Sequence, residues 1–106
     1  MSATLDDVRK GRPLLLVFHS PRSGRCRLVD GYIAQTLQRN RNHDTFSIRR
    51  IDVDERPDLA ARFRIAELPT LVVVDGNRVV ARVDAPVLAA PIRRTLEPWL
   101  RAGDGN

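Results

Sequence analysis

The chain has 106 residues, one domain by ordinary size, with room for a single modest core. Apolar residues make up 42 %, charged residues 29 %, and Gly and Pro only 6 and 7, which excludes a disordered or collagen-like chain. No run reaches the ~18 apolar residues of a membrane span. The opening Met1 to Asp7 is acidic where a secretory signal would be basic and then apolar. A single cysteine, Cys26, excludes an internal disulfide and any multi-cysteine metal site, and makes a reducing cytosol the default compartment. Seventeen of the 18 basic residues are arginine and the net charge is +5. The arginines are spread over many segments (Arg9, Arg22, Arg39, Arg56, Arg78 and Arg93 among them), so the balance reads as a GC-rich, bacterial type of coding bias before it reads as a nucleic-acid surface.

Thr4 to Gly11 carries a weak capping box (Thr4, Asp7), basic residues in its last turn and a glycine stop, and predicts a short helix. Pro13 to Phe18 is a continuous apolar run too short for a helix, as in a strand buried on both faces. His19 to Arg22 breaks it. Cys26, Val29, Ile33 and Leu37 then fall on one helical stripe, with Ser23 three residues ahead as N-cap, and the helix fades in the polar stretch Gln38 to Asp44.

A second strand is predicted over Thr45 to Val53. A short helix follows over Arg56 to Phe63, with Pro57 in its first turn, where a missing N–H costs nothing. Leu68 to Val74 and Arg78 to Val83 form a hairpin turned at Gly76. The last helix runs from Ala89 to Leu100, with Pro98 expected to kink or truncate its end. The order α-β-α-β-α-β-β-α describes a small α/β sandwich with a mixed sheet of about four strands flanked by helices. The domain is taken as 1–106, its core as about 13–100, with a flexible tail over 102–106.

Three segments coincide at telling distances: Ser23-Gly24-Arg25-Cys26 at a helix start, Ile51-Asp52-Val53-Asp54 before a short helix, and Ile65-Ala66-Glu67-Leu68-Pro69-Thr70-Leu71. With the Gly76 hairpin, they resemble the thioredoxin family over most of the chain. The resemblance implies a thioredoxin-like three-layer sandwich, with the proline before the next-to-last strand, here Pro69, in the cis form. The opening of the chain is shorter than in a full thioredoxin, which implies that the family's first strand is lacking.

The departures bear on function. The family's attacking cysteine falls on Ser23, its motif proline on Arg25 and the tryptophan before the motif on Arg22. The buried acid that helps deprotonate the second cysteine falls on Val17, and the groove glycines fall on Glu67 and Asp84. Thiol–disulfide exchange needs a thiolate to attack and a second thiol to resolve. A chain with one cysteine and a serine at the attacking position is not expected to run a dithiol mechanism alone. One engineered change at Ser23 would not account for the other departures.

Each candidate residue has a plain alternative. Cys26 reads as a small buried hydrophobe or as a single reactive thiol activated by the helix N-terminus beside Arg25 and Arg27. Arg22, Arg25 and Arg27 read as a solvated rim or as a dock for a carboxylate or phosphate. Pro69 either shapes a turn or, with Leu68, Thr70 and Glu67, lines a groove for an extended peptide; in the resembling family the backbone at Leu68 pairs with such a peptide. His19 with Ser23 lacks an orienting acid for hydrolysis, His43 reads as a solvated loop residue, and one His beside one Cys is too few ligands for zinc.

The expected function is therefore a non-catalytic domain that binds a protein or peptide through Arg22, Ser23, Gly24, Arg25, Cys26, Glu67, Leu68, Pro69 and Thr70. The alternative is a single-thiol redox protein or sensor forming mixed disulfides through Cys26. No cofactor or metal is expected, and the chain is read as a cytoplasmic monomer. Nucleic acid is disfavoured because Tyr32, Trp99 and the three Phe are dispersed.

Overall fold

The computed structural model describes residues 12–38 and 45–100. The helix predicted over Thr4 to Gly11, the tail 102–106 and His43 lie outside the described residues. The elements in chain order are β1 (Leu14–His19), α1 (Gly24–Gln38), β2 (Ser47–Asp52), α2 (Pro57–Arg62), β3 (Thr70–Asp75), β4 (Arg78–Asp84) and α3 (Ala89–Leu96), followed by a 3-10 turn, Glu97–Trp99. They form one mixed sheet in the order β2-β1-β3-β4, with β1 parallel to β2 and antiparallel to β3, and β3 antiparallel to β4.

The apolar run of β1 is explained by its interior place in that sheet. Leu15 and Val17 point to one face, where they meet Val29, Ile33 and Leu37 of α1 and Ile92 and Leu96 of α3. Leu14, Leu16 and Phe18 point to the other, against Val72 and the α2 side, with Leu59, Phe63 and Ile65 packed around them. Burying one such side chain contributes about 1.5–3 kcal/mol, and β1 supplies five of them at or below 6 % exposure. Phe18 and Phe63 lie with ring centroids 5.4 Å apart, and Phe46 meets Trp99 edge-on at 6.0 Å across the opposite face.

Most element bounds differ from the sequence expectation by a residue or two, and the last helix by four. The second strand starts at Ser47 rather than Thr45, and β3 starts at Thr70, because Leu68 and Pro69 belong to the loop before it. The last helix stops at Leu96. Pro98, lacking an N–H, turns the remainder into the 3-10 stretch, the truncation expected of it.

Three of the described residues take left-handed backbone: Gly76, Arg64 and, at φ 44° just after β4, Ala85. Gly76 has φ 67° in the two-residue loop between the paired Asp75 and Arg78. A Cβ there would meet nothing within 4 Å, so Gly76→Ala carries only backbone strain. It is expected to lower stability by about 1–2 kcal/mol in urea denaturation.

Arg64, at φ 53°, ends α2 in a Schellman arrangement: the Ile65 amide donates to the Ala60 carbonyl (2.9 Å) and the Arg64 amide to that of Ala61 (3.1 Å). A non-glycine residue there is braced from β4. The Arg82 guanidinium donates to the carbonyls of Phe63 and Arg64 (2.9 Å to the latter), and its Nε meets Asp84 Oδ1 at 2.6 Å.

The β4 edge carries Val79 and Val80 exposed, with a bulge in its register opposite Val73 and Val74. Bulges and charged side chains such as Arg78, Arg82 and Asp84 are the usual protection of an open edge.

Candidate functional site

The strand register gathers the residues singled out from the sequence at one end of the sheet. β1 and β2 run in parallel and finish together, with His19 opposite Asp52. β3 starts beside the end of β1, with Thr70 opposite Phe18, and β4 ends opposite the start of β3, with Asp84 facing Thr70. The loops Ser20–Ser23, Val53–Arg56, Glu67–Pro69 and Ala85–Leu88 therefore share one rim. In open α/β sheets, the carboxyl ends of the parallel strands are where ligands bind.

Ser23 directly precedes α1, at the N-cap position. The Cys26 amide donates to the Ser23 carbonyl oxygen at 3.2 Å, and the Ser23 amide donates to the Ser20 carbonyl at 3.1 Å. Gly24 and Arg25 are exposed in the first turn. Cys26 is only 6 % exposed and is a free thiol. It shares the buried stripe of α1 with Val29, Ile33 and Leu37, yet it belongs to neither apolar cluster.

Arg22 does not stand in a free basic cluster with Arg25 and Arg27. Its Nη2 lies 3.0 Å from Asp54 Oδ1, while Arg25 and Arg27 are exposed and, among the described residues, outside any ion pair. Asp54 also accepts from Ser20 Oγ at 3.2 Å, and its own amide donates to Asp52 Oδ1 at 2.9 Å. Asp54 and Ser20 were not singled out from the sequence as site residues. The signal available was the Asp-x-Asp ending the second strand, a spacing suited to an Asx turn.

On the other side of the rim, the Leu68–Pro69 peptide is cis. The Pro69 carbonyl accepts from the Ala85 amide at 2.7 Å, and Thr70 Oγ1 donates to the Glu67 carbonyl at 2.8 Å. Pro69 and Thr70 are buried, Leu68 is half-buried and Glu67 is exposed. Among the described residues, the backbone amide and carbonyl of Leu68 find no partner within the chain. They are open to an extended segment laid beside them.

No three His, Cys, Asp or Glu side chains among the described residues come together in a way that could hold a metal ion. No helix among them is long and apolar enough to cross a membrane.

A rim of this kind, with a helix start facing a cis-proline loop across a four-stranded mixed sheet, defines a thioredoxin-like fold. The thioredoxin family model matches residues 3–97, and the chain belongs to the thioredoxin family. It is 32 % identical over 89 residues to thioredoxin 1 of Synechococcus elongatus, covering 83 % of this chain and 80 % of that protein. It is 27 % identical over 78 residues to the bifunctional thioredoxin reductase/thioredoxin of Mycobacterium leprae, covering 74 % of this chain and only 17 % of that one. In structure it resembles thioredoxin NaTrxh of Nicotiana alata, with a TM-score of 0.77 at 18 % identity over 93 % of this chain and 84 % of that one, which is a likeness of fold.

Proposed function

We propose that this chain is a single, monomeric thioredoxin-family domain that binds a partner protein or peptide without transforming it, in a reducing cytosol. The surface is the rim from Arg22 to Cys26 together with Glu67 to Thr70. One observation carries the reading: the only cysteine is 6 % exposed, and serine occupies the position that matches the family's attacking cysteine. A serine hydroxyl does not attack sulfur usefully near neutral pH, and a lone covered thiol has no internal partner to resolve a mixed disulfide. Binding keeps what it needs. The unpaired backbone of Leu68 offers strand-like pairing, Arg25 and Arg27 offer exposed positive charge, and Glu67 offers an exposed negative charge on the facing loop.

Capture from a lysate of the source cells, run with wild type and Cys26→Ser, tests this. The same proteins are expected on both, with and without dithiothreitol, and a combined Arg25→Glu and Glu67→Lys variant is expected to lose them. A set held only by wild type and released by dithiothreitol would overturn the reading in favour of mixed disulfides through Cys26.

A further inference from the structure

We propose that Asp54 is a positioning residue for this surface: its carboxylate latches the Ser20–Ser23 segment to the turn after β2, and so sets where α1 begins and how well the Cys26 thiol is covered. The functional importance of this latch rests on reading the rim as the docking surface; its existence does not. An unbroken chain of hydrogen bonds runs from Asp54 to Cys26. Ser20 Oγ donates to Asp54 Oδ2 (3.2 Å) and accepts from the Arg22 amide (3.3 Å). The Ser20 carbonyl then accepts from the Ser23 amide (3.1 Å), and the Ser23 carbonyl from the Cys26 amide (3.2 Å). Asp54 is itself held by the hydrogen bond that its backbone amide donates to Asp52 Oδ1, and the neighbouring Val53 amide donates to the His19 carbonyl at 3.0 Å.

The two arms of the latch differ in weight. Ser20 is 7 % exposed, so a hydroxyl deprived of Asp54 has little water to turn to. The Arg22 side chain is 81 % exposed and that of Asp54 45 %, and an ion pair so open to solvent adds little. The Ser20 arm therefore carries the latch, and Arg22 trims it. The Cys26 amide is tied to this segment through the Ser23 carbonyl, so loosening the segment frees the first turn of α1, which carries the 6 % exposed thiol.

The test is the rate at which native full-length protein reacts with Ellman's reagent, alongside exchange of the Arg22 and Ser23 amides. Asp54→Ala is expected to speed both by about tenfold. Asp54→Asn keeps an oxygen for the Ser20 hydroxyl and is expected to stay within about threefold of wild type, as is Arg22→Ala. Asp58→Ala, in the neighbouring helix, is expected to leave both rates alone.

An Asp54→Ala protein that reacts within about twofold of wild type, or an Asp54→Asn protein as fast as Asp54→Ala, overturns the proposal. Should Asp54→Ala fail to fold, Ser20→Ala cuts the same latch from the other side. About fivefold acceleration is expected there, and an unchanged rate overturns the proposal. Loss of partner capture by wild type would defeat the docking reading while leaving these ratios untouched, so the two failures are distinguishable.

Discussion

Phe18→Ala is expected to remove about 3–5 kcal/mol of stability, a large part of the ~5–15 kcal/mol that holds a domain of this size folded. Phe18 is fully buried on the face of β1 turned toward α2, in one cluster with Leu14, Leu16 and Val72. Its ring also supports Phe63 at the end of α2. Truncation removes the transfer contribution of the ring and leaves a cavity that the interior strand cannot collapse to fill, since β1 is held by β2 on one side and β3 on the other. Phe18→Leu, which keeps most of the volume, is expected to cost about 1–1.5 kcal/mol. Val79→Ala, at a side chain 53 % exposed on the β4 edge, is expected to stay within about 0.5 kcal/mol. Urea denaturation reads all three. A Phe18→Ala midpoint close to that of Val79→Ala would mean that this face of the sheet is not closed.

The second large effect is a gain. Ser23→Cys restores the Cys-x-x-Cys spacing, and the variant is expected to form a 23–26 disulfide on oxidation and to reduce insulin with dithiothreitol as electron source. In each turnover the two thiols would give up two protons and two electrons, becoming a disulfide as the insulin disulfide becomes two thiols. The rate is expected to stay well below that of a complete thioredoxin. Val17 stands where the family carries the acid that helps deprotonate the second cysteine, and loss of a proton acceptor typically costs about 10²–10⁴-fold. Mass spectrometry after mild oxidation and the turbidity of reduced insulin read the two steps separately. A variant that forms no disulfide would show that more than the missing sulfur separates this motif from a working one.

What could be read from the sequence follows from the range of the forces involved. Hydrophobic period is local. The unbroken Leu14 to Phe18 run declared an interior strand, and Val29, Ile33 and Leu37 declared the buried face of α1, because each depends only on which way successive side chains point. Pro98 and Gly76 marked a helix end and a turn through their own backbone limits.

The latches were out of reach. Ser20 meets Asp54 from 34 residues away, and Arg82 reaches back 18 and 19 residues to the Arg64 and Phe63 carbonyls. A polar pair at that separation leaves no period in the chain. The same blindness made Arg22 look like one of three free cations, when its charge is turned toward Asp54. It also hid the left-handed Arg64, where glycine would have been the expected residue.

The most direct test of the central claim is electron flow through the unmodified chain, using insulin as client and either NADPH with a thioredoxin reductase or dithiothreitol as source. The wild-type protein is predicted to add nothing to the reductant's own background at any concentration tried. Insulin reduction that rises in proportion to wild-type protein would contradict the account, since it would mean that Cys26 reaches a client disulfide and is resolved despite its cover and its solitude.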